Sequence, residues 1–157
     1  IHSEIYKARG NINSIAHANP MYGKTFSTLG KTLDPISQDS CAFYERTALF
    51  ADYDGVANGP DEGINIAKAL GDKDFVILQN HGILTTGTTV DTTIWYFLNM
   101  EDACKSQLLA EAVGKPIVIP HETACATRDY VANDLSAYVS FQPTVDVLWE
   151  EEPDLLD

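Results

Sequence analysis

Basic residues are few: 10 Lys and Arg stand against 23 Asp and Glu, for a formal net charge of -13. A chain of that charge repels phosphate backbones and anionic headgroups, which speaks against nucleic acid and membrane surfaces as partners. Nowhere do roughly 18 apolar residues run together, as a membrane span requires. The opening Ile1-His2-Ser3-Glu4 also lacks the basic-then-apolar order of a secretory signal. Cysteine is scarce: Cys41, Cys104 and Cys125 are odd in number and far apart, which fits neither a disulfide framework nor a Cys-x-x-Cys metal knuckle. Reduced thiols and a cytoplasmic location are the expectation. Internal repeats, low-complexity tracts, interdomain linkers and Gly-rich phosphate cradles are all absent from the sequence.

What the chain does have is 157 residues, 45% of them apolar, enough to fill one sizeable core. A single domain over residues 1–157 is expected, with residues 140–157 as an acidic C-terminal tail. The first residue is not Met, and His2, Ile5, Ala8 and Arg9 already follow helical spacing, so an N-terminal portion is expected to precede the chain.

The patterning alternates strands with helices. Ile12 to Ala16 reads as a strand ending at His17, and Asn19-Pro20 then caps a helix that runs from Pro20 to Leu29 and stops at Gly30. Residues Lys31 to Tyr53 form a loop-rich connection with candidate strands at Leu33–Ile36 and Ala48–Phe50. Pro60, Asp61 and Glu62 open a helix whose Ile64, Ala67 and Leu70 share a face and which Gly71 ends. Phe75 to Leu78 is a strand buried on both sides, turning through Gln79-Asn80-His81-Gly82 into Ile83–Thr86. Asp91 or Thr89 caps a long helix, Val90 to Val113, whose face is expected to be Val90, Ile94, Phe97, Leu98, Cys104, Leu108 and Ala112. Glu122 to Val139 has helical composition, and the Trp149 to Asp154 run is frayed-looking.

Two histidines, His17 and His81, stand at strand ends, where an α/β fold gathers its functional groups, and a neutral imidazole there ligates divalent metals. The stretches around them, His2-Ser3-Glu4-Ile5-Tyr6-Lys7-Ala8-Arg9, Ile15-Ala16-His17-Ala18-Asn19 and Leu78 to Gly87 with its Asn80-His81-Gly82 turn, resemble the class II aldolase/adducin family over roughly residues 1 to 113. Ser37-Gln38-Asp39 with Phe43-Tyr44, and Phe141-Gln142-Pro143, look most like fungal members. The resemblance implies a three-layer α/β/α fold around a mostly antiparallel sheet, assembled as a homo-oligomer, usually a tetramer, with active sites between subunits. It also implies a small-molecule substrate, a sugar phosphate or related hydroxy-carbonyl compound, and a divalent metal, commonly zinc, on three histidines. The first and third of those fall on His17 and His81, and the second falls on Asn19.

Asn19 offers an amide oxygen where zinc prefers nitrogen or thiolate, so it reads as a weak third ligand, a substrate contact or simply the helix cap. Asp39, Glu45 and His121 are candidates for a further ligand. The family's acid/base carboxylate lies a few residues before the position of His2, and Glu4 reads instead as a solvated surface charge. The resemblance also allows a tyrosine from the C-terminal part of an adjacent subunit to move the proton, for which Tyr130 and Tyr138 are available. Asn80 is placed to orient the turn or touch substrate, and Gly82 allows close backbone approach. With Lys24 and Lys31 the only cations soon after His17, an unphosphorylated hydroxy-carbonyl or keto acid fits as well as a phosphate. The expected activity is that of a metal-dependent lyase or epimerase; the alternatives are an adducin-like scaffold without catalysis and a metal-free enzyme using the same pocket.

Overall fold

Four short strands carry the fold. In a computed structural model, described for residues 1–52, 55 and 60–156, β1 (Ser14–Ala18), β2 (Thr47–Phe50), β3 (Phe75–Leu78) and β4 (Gly82–Gly87) form one sheet in the order β1-β4-β3-β2. β4 is antiparallel to both β1 and β3, and β2 is parallel to β3. The sheet is therefore mostly antiparallel in its pairing. It follows that β1, β2 and β3 all run one way, and their C-terminal ends lie along a single edge.

Both faces of β3 are buried, and its side chains alternate between two cores. Phe75 and Ile77, with Ile83, pack against Phe26 of α2 (Met21–Ser27) and Tyr96, Met100 and Cys104 of α4 (Val90–Val113). Val76 and Leu78, with Leu84, pack against Ile5 of α1 (His2–Ala8) and Ile66, Ala67 and Leu70 of α3 (Pro60–Leu70). Helices thus cover both faces, giving the three-layer α/β/α arrangement that the resemblance implied. A 3-10 turn, Asp39–Phe43, leads into β2. Beyond α4, α5 (His121–Val131) packs on that turn and α6 (Asp134–Glu151) packs on α4.

Several sequence expectations need correction. Leu33–Ile36 is not a strand: Asp34 N–H goes to the Gln107 side chain, Pro35 has no N–H, Ile36 N–H turns back to Asp34 O and Ser40 Oγ, and from outside the stretch Ile119 N–H donates to Pro35 O. The buried face of α4 is Thr92, Thr93, Tyr96, Met100, Ala103, Cys104 and Gln107, whereas Val90 is 64% exposed and Leu98 48%. Polar residues occupy that face because their groups are satisfied: Thr93 Oγ1 donates to Thr89 O at 2.7 Å, and Gln107 bonds Asp34 and Glu111. On α3 the buried set is Ile66, Ala67 and Leu70, with Ile64 at the surface. Glu4 is only 16% exposed and pairs with Lys7, so it is not a freely solvated charge. The region read as a tail is helical through Glu151, with Pro143 inside α6. The break falls instead between α5 and α6, where Asn133 Oδ1 accepts from Ser136 N–H at 2.9 Å. Tyr53, where the long connection was expected to end, and the final Asp157 lie outside the described residues.

Candidate functional site

β1 and β3 run in the same direction on either side of β4, so the residues at their C-terminal ends become neighbours. His17 is the penultimate residue of β1, and His81 lies just past β3 in the turn to β4. Their rings meet at right angles with centroids 4.8 Å apart. His2, from the first turn of α1, stands 6.5 Å from His17, centroid to centroid. Sequence places His2 in a helix and in the family resemblance, and nothing in a fifteen-residue offset to His17 pairs them.

The His17 ring is fixed. Its Nδ1 lies 2.9 Å from Ile83 O, and because a carbonyl only accepts, Nδ1 carries the proton and Nε2 keeps its lone pair. A ligating histidine is oriented in this way, by a carbonyl that takes the proton of its other nitrogen. Burial lowers the His17 pKa; the Ile83 carbonyl opposes the shift, and the His81 and His2 rings add to it. His2 is lowered as well, first by partial burial. His17 is thereby held in the neutral form that coordinates a cation.

The turn that carries His81 is pinned on three sides. Gln79 N–H donates to Phe50 O at 2.9 Å, Asn80 N–H to Ser27 O at 3.3 Å, and His81 N–H to Leu78 O at 3.0 Å. Asn80 takes φ 58°, a left-handed conformation that Asn tolerates better than most residues. A Cβ on Gly82 would sit 2.6 Å from Ala18 O and 2.6 Å from the Asn19 amide, so only glycine lets β1 close on the turn here.

Asn19 does not cap α2. Pro20 is the N-cap residue and no side chain serves there. Instead the Asn19 amide nitrogen, oriented toward acceptors, donates to His81 O at 3.1 Å and Ala18 O at 3.3 Å. It ties the two histidine segments together. The cap comes from α4, where Glu101 accepts from Tyr22 N–H at 2.8 Å and Gly23 N–H at 2.5 Å.

The remaining candidates lie elsewhere. Tyr130 is 81% exposed on α5 and Tyr138 49% exposed on α6. A cleft of about 210 Å³ lined by Gln38, Asp39, Trp95, Asn99 and Tyr130 collects the first of these with Asp39. Lys31 is engaged by Glu111 at 2.5 Å, while Lys24 is exposed. Glu45 and His121 do come together, but with Cys125. They sit where β2 and β3 begin, since Lys73 Nζ donates to Glu45 O at 2.6 Å. The strand between them and His81 puts that edge on the order of 10 Å or more away at about 3.3 Å per residue, too far for one ion. Cys125 was not singled out from sequence, although it stands four residues after His121 on a helix, a spacing that shares a face.

Residues 1–108 match the family model for the class II aldolase and adducin N-terminal domain. Decarboxylase NovR from Streptomyces niveus is 37% identical over 155 residues, 99% of this chain and 57% of that protein. A 4-hydroxy-3-prenylphenylpyruvate oxygenase/4-hydroxy-3-prenylbenzoate synthase from Streptomyces roseochromogenus subsp. oscitans is also 37% identical over 155 residues, 99% of this chain and 56% of that one. Among solved structures, L-fuculose 1-phosphate aldolase from Glaciozyma antarctica PI12 superposes with a TM-score of 0.87 at 40% identity, covering 98% of this chain and 58% of that one. The chain thus spans little more than half the length of these relatives. Coverage and identity at these levels place the chain in the class II aldolase/adducin family.

Proposed function

We propose that the protein is a metal-dependent lyase that breaks a carbon–carbon bond beside a carbonyl in a small hydroxy-carbonyl or keto-acid metabolite. The observation that carries this is the His17–His81 pair: two imidazoles meet at 4.8 Å at one sheet edge, with the His17 Nδ1 spent on Ile83 O. The donor set fits a divalent cation such as zinc, since His17 is neutral with a defined free nitrogen. A bound cation of this kind supplies Lewis-acid stabilisation of the enolate charge that develops as the bond breaks.

The chain's own residues do the rest. His17 and His81 hold the cation. Asn19, tied by its nitrogen to His81 O, keeps the two segments in register beside the substrate. Asn80, exposed in its left-handed turn, and the Gly82 backbone line the approach. Tyr130 or Tyr138 of a neighbouring copy moves the proton, a role open to hydroxyls that lie at the surface of the single chain. The apolar residues exposed on α6, among them Leu135, Val139 and Trp149, support assembly into a homo-oligomer, and a tetramer is the form proposed. The names of the relatives favour decarboxylation of a keto acid as the first chemistry to test, and they also include a phosphorylated sugar.

One observation favours a second reading, an adducin-like scaffold. The Asn19 nitrogen is used to bridge two backbone carbonyls, as a structural residue would be, in the place where the family has a ligand. Elemental analysis of protein purified without chelator separates the two. The lyase reading expects one zinc or other divalent ion that is lost in His81→Ala, together with carbon dioxide or aldehyde release from a panel of keto acids and hydroxy-carbonyls. No ion dependent on His81 would refute it; cleavage activity that persists without one would point to metal-free chemistry in the same pocket.

A further inference from the structure

The second cluster of ligand groups gathers a thiol, an imidazole and a carboxylate at the edge where β2 and β3 begin. His121 and Cys125 are one helical turn apart on α5 and share a face. Glu45, at φ 60° in the turn before β2, faces them. Three contacts define the cluster: Cys125 Sγ to Glu45 Oε2 at 3.7 Å, Cys125 Sγ to His121 Nδ1 at 3.8 Å, and His121 Nδ1 to the other Glu45 oxygen, Oε1, at 3.8 Å; with one atom taken from each residue, the donors lie within 4.8 Å of one another. The nitrogen–oxygen edge is too long for a hydrogen bond, and the thiol contacts are long as well.

That grouping approaches the one a shared cation imposes. A tetrahedral zinc with bonds of roughly 2.3 Å to sulfur and about 2.0–2.1 Å to nitrogen and oxygen holds neighbouring donors roughly 3.4–3.6 Å apart. The sulfur–oxygen and sulfur–nitrogen contacts are within a few tenths of an ångström of that spacing, and a turn of the half-exposed Glu45 carboxylate brings one oxygen to both partners. Thiolate, imidazole and carboxylate together select a borderline-soft cation over magnesium or calcium. The ordinary bonds that the cluster does make are two: Tyr44 Oη with His121 Nδ1 at 3.1 Å, and Arg128 Nη1 to Glu45 Oε2 at 3.4 Å.

We propose that Glu45, His121 and Cys125 form a binding site for a zinc-type divalent cation, separate from the histidine pair at the far edge of the sheet. Binding forms three bonds, to Oε of Glu45, Nδ1 of His121 and Sγ of Cys125. The thiol proton goes to solvent, and Tyr44 Oη gives up Nδ1. Arg128 swings off Glu45 as the cation takes over its charge. The fourth position faces solvent, as in zinc sites that accept a water or an outside ligand.

Cobalt(II) alone is the probe. The full chain is titrated under reducing conditions and the thiolate-to-cobalt charge-transfer absorption is followed. Cys41 and Cys104 are fully buried, so the band reports Cys125. It is expected to saturate at one equivalent, to vanish in Cys125→Ser, to require on the order of tenfold or more cobalt in His121→Ala and Glu45→Gln, and to persist in His81→Ala. These side chains lie at or near the surface, so unchanged circular dichroism certifies the fold of each variant. No band in the parent chain, a band that survives Cys125→Ser, affinities unmoved by His121→Ala and Glu45→Gln, or loss of the band in His81→Ala would each overturn the proposal.

Discussion

Glu101→Ala tests whether the histidine edge depends on the helix behind it. α2 begins two residues after Asn19, and its N-cap residue Pro20 offers no side-chain oxygen. The first amides of the helix would be orphans without help from elsewhere. Glu101 supplies both oxygens, at 2.8 Å to Tyr22 N–H and 2.5 Å to Gly23 N–H. Gly23 is buried, packed so closely on Ile83 that a Cβ would come within 3.0 Å of its Cγ2. Its N–H has no water to turn to when the carboxylate is removed.

An unsatisfied buried donor costs about 1–3 kcal/mol, and loss of a negative charge at the helix start adds roughly 0.3–1 kcal/mol. With Tyr22 N–H half-solvated and its loss partly recovered by water, the sum for Glu101→Ala is about 2–4 kcal/mol. For a chain of this size that is roughly 5–15 °C in Tm. Glu101→Gln keeps one acceptor and turns an NH2 toward the other amide, so about half the loss is expected. Urea unfolding gives the free energies, and zinc affinity in the same variants reads the coupling to His17 through Asn19-Pro20. A Glu101→Ala protein within about 0.5 kcal/mol of the parent would show that α2 does not need this cap.

Further predictions concern the turn, the far edge and pH. Gly82→Ala places a methyl 2.6 Å from Ala18 O and the Asn19 amide, so about 1–3 kcal/mol of stability and the His81-dependent metal should be lost together; unfolding curves and metal content check both. Arg46 donates to Asp74 Oδ2 at 2.7 Å, Tyr96 Oη at 3.4 Å and Ala132 O at 3.2 Å, and it stacks over Phe75 and Tyr96. Arg46→Met should cost about 2–4 kcal/mol by leaving Asp74 and Ala132 O without it, with little rescue by Lys, whose point charge cannot reproduce the fork; urea midpoints decide. His17 has a folded pKa below its ordinary 6.5, so the unfolded chain takes up a proton that the fold refuses. Stability should therefore fall as pH drops from about 6.5 toward the lowered value, by at most about 1.4 kcal/mol per pH unit, and level off below it. Unfolding at pH 7.5 to 5 in the parent and in His17→Gln isolates this contribution, and parallel slopes would refute it.

The elements that sequence located best are those whose signals are local. Thr89 opens α4 with its side chain on Thr92 N–H, and Gly114 closes it; both are one-turn events that composition records. The apolar run Phe75–Leu78 and the turn after it are likewise local. What sequence could not show was which face of α4 turns inward. Thr93 and Gln107 are fully buried because Thr89 O, Asp34 and Glu111 await them, and partners up to 73 residues away leave no mark in a helical period. For the same reason sequence assigns neither His2 nor Cys125 to a cluster: each joins its own only through the fold. Although proline usually ends a helix, α6 runs through Pro143, where neighbouring residues are exposed to water.

The sheet's direction explains why two ligand clusters share so small a fold without competing. With β1, β2 and β3 parallel in sense, every loop leaving one of these three strands opens at one edge and every loop entering one opens at the other, β4 alone running the opposite way. His17 and His81 leave β1 and β3; Glu45 enters β2. The exit edge is built tightly, with Gly82 against Ala18 O, Asn19 across the turn and Glu101 behind it, and a site so braced holds two rings at fixed separation. The entry edge is held by one strained residue and charged side chains at the surface. Rigidity of the first kind suits bond cleavage, where the position of the reacting carbonyl must be defined beforehand. The looser entry edge suits capture of an ion, in which Tyr44 and Arg128 give way. Substitutions at the exit edge should therefore change stability and metal content together, whereas those at Glu45, His121 and Cys125 should change cobalt affinity with the fold intact.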